Sequence, residues 1–340
     1  MFGYPSRILF ISTLVLGTFI SVSSHSWFGA WIGLEVNLLS FIPLMTDKNM
    51  MSSEAALKYF LTQALASIFL FTTILLYTVS LKVSYYPSTL PISMHTLFWS
   101  ALLIKLGAAP FHFWLPGVME GLTWVNNMLL MTWQKLGPLG LLSYASEDSV
   151  LPQGAIILSA IVGAIGGFNQ TSLRKIMAYS SINHLGWMLA GVLLSNPYWV
   201  TYFIFYCFLS FSILVSFHHL QLSHLKQIFL IPDTNNFNKI FIFANFLSLG
   251  GLPPFIGFIP KWLMLQGLVT QNNFMLAGVL VLLTLVVLFY YLRTFFPAIL
   301  ITTTVHKWVA PQTYWSNFSV GLTSISLLGF PLFPMLYPVF

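Results

Sequence analysis

The chain has 340 residues, of which 57% are hydrophobic and only 6% charged; soluble domains carry about 25% charged residues, so a folded surface of this composition is not kept in water and the lipid bilayer is its solvent. Its one cysteine, Cys207, excludes an internal disulfide, a cysteine-based zinc site and an Fe–S cluster held by this chain alone. The formal charge of +6 comes from thirteen basic residues scattered along the chain, and no run of them forms a nucleic-acid patch.

An apolar run follows Arg7 at once. No small-residue cleavage site and soluble domain come after it, and it is not an Arg-rich, Ser-rich transit peptide, so it reads as a first membrane span. Lack of a presequence is expected of a protein inserted where it is made. A span needs about 20 mainly apolar residues. The sequence predicts about eleven: 8–22, 25–45, 56–80, 93–115, 123–143, 151–168, 175–195, 198–218, 240–265, 274–296 and 318–338. Short connections with turn residues join them, such as Thr46-Asp47-Lys48-Asn49, Glu147-Asp148 and Ser195-Asn196-Pro197. The expected fold is an all-α polytopic membrane protein forming one membrane domain.

Basic residues test this count, because Lys and Arg stay on the side of synthesis. Arg7, Lys48, Lys58, Arg174, Lys175, Lys226, Lys239, Arg293 and Lys307 fall on the N-terminal side, and Lys82 alone on the other. The N-terminus is thus expected on the positive side (cytoplasm or matrix). Lys105, Lys135 and Lys261 fall inside spans, as does one carboxylate, Glu35.

Residues 107–116, Gly-Ala-Ala-Pro-Phe-His-Phe-Trp-Leu-Pro, align without gaps with 251–260, Gly-Leu-Pro-Pro-Phe-Ile-Gly-Phe-Ile-Pro. Proline in a helix removes a hydrogen bond and clashes with the preceding turn, so both the fourth and the ninth span should be broken. Broken backbone at membrane depth survives only where protein or water covers it. Paired breaks in two halves point to a transporter built from inverted repeats. The broken spans are five helices apart, an odd number, so the second copy runs the opposite way. The expected division is 1–150, 151–300 and a C-terminal loop and helix over 301–340. Two proline-kinked helices that match by chance are the competing reading.

A charge at the centre of a membrane helix costs about 2.5–3.5 kcal/mol on insertion scales, which makes the four buried charges candidates for function. Burial pushes lysine and glutamate toward neutral-pH titration, and a nearby opposite charge reverses this. A Glu–Lys pair that opens and closes is therefore a pump element. On this reading Glu35 would be the acid of that pair, Lys105 its partner before the first break and Lys135 the next station, while Lys261, after the second break and not at the repeat-equivalent of Lys105, would be the exit station. The bland alternatives are a permanently neutral or clamping acid for Glu35, and snorkelling to the interface for each lysine.

His112, inside the first break, is placed to bridge Lys105 and Lys135 or simply to satisfy freed backbone groups; His184 has the same two readings. His218, His219 and His224 belong to a span end or loop, and His25, His95 and His306 are peripheral. Glu54 and Glu120 are expected near helix starts, where negative charge suits the dipole. Asn169-Gln170-Thr171 and Asn317-Phe318-Ser319 match the glycosylation triplet weakly. No phosphate loop, dinucleotide fingerprint or nucleophile triad is present, and no metal site is expected.

Several segments carry a resemblance over the whole chain. They are 29–40 (Gly-Ala-Trp-Ile-Gly-Leu-Glu-Val-Asn-Leu-Leu-Ser), 54–63 (Glu-Ala-Ala-Leu-Lys-Tyr-Phe-Leu-Thr-Gln), 105–114, 119–124 (Met-Glu-Gly-Leu-Thr-Trp), Asn169–Lys175 running into Ser181–Trp187, and 249–255 (Leu-Gly-Gly-Leu-Pro-Pro-Phe). With these the chain resembles the antiporter-like membrane-arm subunits of mitochondrial NADH:ubiquinone oxidoreductase, respiratory complex I, most closely in arthropod form. The resemblance implies two inverted five-helix repeats with one broken helix each, and proton translocation across the inner membrane. It maps the key carboxylate onto Glu35 and the central lysines onto Lys105, Lys135 and Lys261. It implies no cofactor on this chain: FMN, Fe–S clusters and ubiquinone belong to other subunits. Its partners would be the other membrane-arm subunits and lipid, with no nucleic acid, and the N-terminus would face the matrix. It also implies that animal members lack three N-terminal helices of bacterial relatives and that this chain starts where they do. Two readings compete with a proton-translocating subunit: a stand-alone cation/proton antiporter, and a structural spacer of the membrane arm.

Overall fold

The computed structural model describes residues 5–47, 49–83, 92–145, 150–229, 236–300 and 317–328. Lys48, His306, Lys307, the connection 146–149 and the 329–338 end of the last predicted span lie outside them, as do the side chains of Lys82 and Lys239. The described residues are almost wholly helical. Five helices among them are long and apolar enough to cross a membrane, Pro5–Ser23, Trp27–Met45, Met50–Val79, Asn196–Leu220 and Phe274–Thr294. With the composition, this makes the chain a polytopic membrane protein.

Two compact units divide the chain, Met1–Ala155 and Ile156–Phe340. The first holds α1 (Pro5–Ser23), α2 (Trp27–Met45), α3 (Met50–Val83), α4 (Ile92–Leu106), α5 (Trp114–Gly121), α6 (Trp124–Met131) and α7 (Trp133–Tyr144). The division falls within α8 (Val150–Gly166). The second unit holds α9 (Leu173–Leu194), α10 (Asn196–Leu220), α11 (Leu225–Phe229), α12 (Asn236–Gly250), α13 (Phe258–Thr270), α14 (Phe274–Leu300) and α15 (Asn317–Leu328).

In the first unit, α1 and α2 pack most extensively. The reason is small residues at the crossing: a Cβ on Gly17 would lie 2.9 Å from the Asn37 nitrogen, and one on Gly33 would lie 2.5 Å from the Ser21 nitrogen. Backbones that approach this closely gain dispersion contacts that lipid tails do not match. The pair is pinned at one end by Arg7, whose Nη2 donates to Asp47 Oδ1 at 3.1 Å. In the second unit α9 is the innermost element. It is buried along almost its whole length, Leu173 to Val192, although it carries Ser180, Ser181, Asn183 and His184. Its start is clipped to the α10–α11 turn by an antiparallel bridge between Ser172 and His224.

Both expected breaks are present, and they match residue for residue. The first separates α4, ending at Leu106, from α5, starting at Trp114; the second separates α12, ending at Gly250, from α13, starting at Phe258. Each opens on a glycine with positive φ, Gly107 at 71° and Gly251 at 78°. That conformation disfavours any residue with a Cβ. Each glycine closes its helix the same way. Gly107 N–H donates to Ile104 O (3.2 Å) and Ala108 N–H to Leu103 O (3.1 Å); Gly251 N–H donates to Ser248 O (3.0 Å) and Leu252 N–H to Leu247 O (3.4 Å). This is the Schellman pattern, which satisfies carbonyls that the lost turn leaves open. Pro116 and Pro260 each occupy the third position of the restarted helix, where a missing N–H is harmless. The restarted helices run past the predicted limits of 115 and 265, to Gly121 and Thr270.

One interruption was not expected. The fifth predicted span is divided at Thr132 (φ −111°, ψ −73°) into α6 and α7. Thr132 turns its hydroxyl back onto Met128 O at 2.7 Å, a local bond that competes with the helix ladder. Pro138 then has no N–H to offer the Gln134 carbonyl. Lys135 therefore sits in a loosened first turn of α7.

The α1–α2 contact makes a prediction. Gly33→Ala should destabilise the detergent-extracted chain by about 1–3 kcal/mol through overpacking. Gly117→Ala, where nothing lies within 4 Å of the new methyl, should be neutral or slightly stabilising; thermal unfolding followed by tryptophan fluorescence separates the two.

Candidate functional site

The first unit gathers polar side chains from four elements at one point. Asn37 comes from α2, Tyr59 and Gln63 from α3, Lys105 from the last turn of α4, and Gln134 and Lys135 from the first turn of α7. These six line a cavity of about 20 Å³. A cavity needs roughly 10–15 Å³ of such volume to hold a water, so there is room for one. The remainder of its wall is apolar, with Leu34, Leu38 and Trp114 among its members. Tyr59 Oη donates to Gln134 Oε1 (3.3 Å), and Gln134 Nε2 donates to Asn37 Oδ1 (2.8 Å). Gln63 Nε2 donates to the Lys105 carbonyl at 3.3 Å, and Trp114 Nε1 reaches back across the break to Ile104 O at 3.0 Å.

A snorkelling lysine buries its stem and exposes its head. Lys105 is 7% exposed, Lys135 2% and Lys261 7%, which leaves no exposed head on any of them. Glu35 lies on α2 two residues before Asn37, and its charge is felt by Lys105. Its Oε1 is buried with no hydrogen-bond partner. Lys105 and Lys135 thus share a cavity with Glu35 within electrostatic reach of the first. His112 is not on that cavity's wall. Its Nδ1 lies 3.2 Å from Pro110 O and its ring 4.2 Å from that of Phe113, the backbone-satisfying arrangement of its two readings.

Lys261 lies in the second unit and is held differently. It stands in the first turn of α13 and reaches back over the break, its Nζ donating to Gly250 O (2.6 Å) and Leu249 O (3.4 Å). A cation on the carbonyl end of a helix is favoured by both the dipole and the open acceptors. A Cβ on Gly251 would come within 3.0 Å of this Nζ, so the glycine is needed for the lysine as well as for the turn. Nearby helices build a further polar interior. His184 Nδ1 lies 2.9 Å from Tyr202 Oη, Tyr206 is bonded to Ser181, and Ser326 Oγ donates to Asn245 Oδ1 at 2.6 Å.

Residues 24–287 match the family described as NADH:quinone oxidoreductase/Mrp antiporter, transmembrane. The chain belongs to this family. NADH-ubiquinone oxidoreductase chain 2 of Anopheles gambiae is 47% identical over 340 residues, covering 98% of each chain. The Aedes aegypti protein of that name is also 47% identical, over 337 residues and 98% of each chain. Among solved structures, a chain of respiratory complex I from Thermus thermophilus superposes with a TM-score of 0.84 at 24% identity, over 99% of this chain and 80% of that one. A chain of the Mrp complex from a Dietzia species gives 0.76 at 17% identity, over 91% of this chain and 64% of that one. At these identities the two structures establish the fold.

In this member of the antiporter family, the residue-by-residue reading missed the neutral part of the site. Asn37, Tyr59 and Gln63 lie within the segments 29–40 and 54–63, and Gln134 lies in none of the family-like segments; none of the four carries a charge to draw attention. A usable signal was there: Gln134 adjoins Lys135, Asn37 follows Glu35 by two, and Tyr59 and Gln63 are four apart, on one helix face. Tyr202 and Tyr206 have the same spacing on the α10 face toward His184. Three smaller expectations need correction. His95 is buried, not peripheral, with Nε2 3.0 Å from Ala145 O. Glu120 lies at the end of the short α5, not near a helix start. Glu54 lies beyond the first turn of α3 and pairs with Lys58 at 3.6 Å.

Lys261→Met should leave the Gly250 and Leu249 carbonyls without their donor. The expected loss is about 1–3 kcal/mol, read as a lower thermal midpoint of the detergent-extracted chain.

Proposed function

We propose that this chain is the chain 2 subunit of the membrane arm of respiratory complex I in the mitochondrial inner membrane, where it translocates protons. NADH oxidation and ubiquinone reduction occur on other subunits, which carry FMN and the Fe–S clusters. The chain takes part in an NADH:ubiquinone reductase without holding a redox centre. The observation that carries this reading is the shared water-sized cavity of Lys105 and Lys135, with Glu35 acting on Lys105 from α2. It occurs in a chain 47% identical, over nearly its full length, to proteins named NADH-ubiquinone oxidoreductase chain 2.

The working path is a polar axis through Glu35, Lys105, Lys135 and Lys261. A change in the charge or position of Glu35 alters how firmly Lys105 holds its proton, and the proton then has Lys135 as its neighbour. His112 contributes by holding the first break in shape. The chain spans the membrane eleven times, as inverted repeats over 1–150 and 151–300 followed by 301–340. The equal breaks, each opened by a left-handed glycine and restarted with proline at the third position, support this arrangement. The N-terminus faces the matrix, and the partners are neighbouring membrane-arm subunits and lipid.

Native electrophoresis of inner membranes, with an in-gel NADH dehydrogenase stain and mass spectrometry of the stained band, should find this chain in that band. Migration apart from the stain would sink the assignment. Within the complex, Lys105→Ala should sharply lower coupled turnover and proton yield per NADH; a normal yield would remove Lys105 from the path.

The likeness to the Mrp complex chain favours one second reading, a stand-alone cation/proton antiporter. It requires exchange of Na⁺ or K⁺ for protons in liposomes without NADH.

A further inference from the structure

We infer that Gln134 is the positioning residue that joins Lys105 to Lys135, by fixing a single water between the two lysines. This rests on the proton-translocating reading above and assigns the connecting element within it.

Geometry is the first ground. Gln134 is the middle member of a line that crosses three helices: Tyr59 Oη to Gln134 Oε1 at 3.3 Å, then Gln134 Nε2 to Asn37 Oδ1 at 2.8 Å. Both ends of its amide are therefore oriented, one by α3 and one by α2. The same three side chains and both lysines wall one cavity of about 20 Å³, the space of one water. A water there needs two to four polar partners, and this wall supplies them.

Chemistry is the second ground. A charged lysine only donates hydrogen bonds, and two ammonium groups at one small enclosed space repel each other. Transfer therefore needs one charged and one neutral lysine with an amphoteric group between them. As a proton leaves Nζ of the charged lysine for the water oxygen, one of the water's own protons passes to the lone pair of the neutral amine. One N–H bond breaks, one forms, and the water is regenerated. Tyr59, Gln134 and Asn37 orient this water without holding the proton. A carboxylate at position 134 would pair with the charged lysine and trap it; an amide has the same shape and hydrogen-bonding reach without the charge. The one acid of the cluster, Glu35, is not on the cavity wall, so it biases Lys105 without entering the transfer space.

The intact complex, reconstituted in vesicles, tests this with three variants compared per assembled complex: Lys105→Ala, Gln134→Met and Tyr59→Phe. Gln134→Met keeps the length and removes both polar ends. It should lower proton yield per NADH to the level of Lys105→Ala and slow coupled turnover by about tenfold or more, as misplacing a transfer group does. Tyr59→Phe should fall in the same direction by less, since Asn37 still orients the amide. A purely structural Gln134 would reduce the amount of complex but leave the yield of the assembled fraction normal, and that result overturns the inference. A low yield for Lys105→Ala with normal yields for both other variants overturns it too, while sparing the proton path. Normal yields in all three overturn both. If Gln134→Met does not assemble, Tyr59→Phe decides, because it deletes a single hydroxyl, and a normal yield there counts against the water.

Discussion

A backbone carbonyl left open inside a bilayer has no water to turn to, and this constraint shapes the interior of the protein. Both broken helices stop among buried residues, and each stop exposes carbonyls that must find donors within the chain. The solutions start alike, with a left-handed glycine folding the chain back onto its own last turn. They finish differently. In the first break the Trp114 indole closes over Ile104 O; in the second the Lys261 ammonium closes over Gly250 O. The structural need of the break thus recruits a charge in one unit and leaves a charge free for another task in the other, where Lys105 turns to the cavity it shares with Lys135.

Much of the polar interior is satisfied locally. An unpaired buried polar atom costs about 1–3 kcal/mol, and the described residues include many buried polar side chains. Most hydroxyls on the helices bond a carbonyl three or four residues back, as Ser21, Ser40, Ser180 and Ser212 do. Among the described residues, side chains also bond one another across helices, as in Tyr59–Gln134–Asn37 in one unit and His184–Tyr202 and Ser326–Asn245 in the other. Some buried polar atoms lack a hydrogen-bond partner, among them Glu35 Oε1, Trp133 Nε1 and the amide of Asn183.

The charged residues of the site were legible without coordinates, because a Lys or Glu in an apolar run violates its surroundings. So were the breaks, since proline and glycine alter the backbone whatever surrounds them. Thr132 was not legible: a threonine interrupts a helix only when its hydroxyl and the neighbouring packing agree to it. His95 was misread for a related reason. Its sequence neighbours are weakly apolar, and its ring nitrogen meets the Ala145 carbonyl, fifty residues on.

Composition determined the solvent, and continuous apolar runs of about 20 residues determined the helical class, because the strands of a membrane barrel alternate apolar and polar residues instead. Local residue chemistry determined the two glycine–proline breaks and which charges fall within the apolar runs. Tertiary structure decided which buried charges meet. Lys105 and Lys135 come to one cavity because α4, α2, α3 and α7 converge there, His112 stays off it, and Lys261 is drawn to the end of α12. Such choices depend on which helix faces touch, and those faces come from distant parts of the chain.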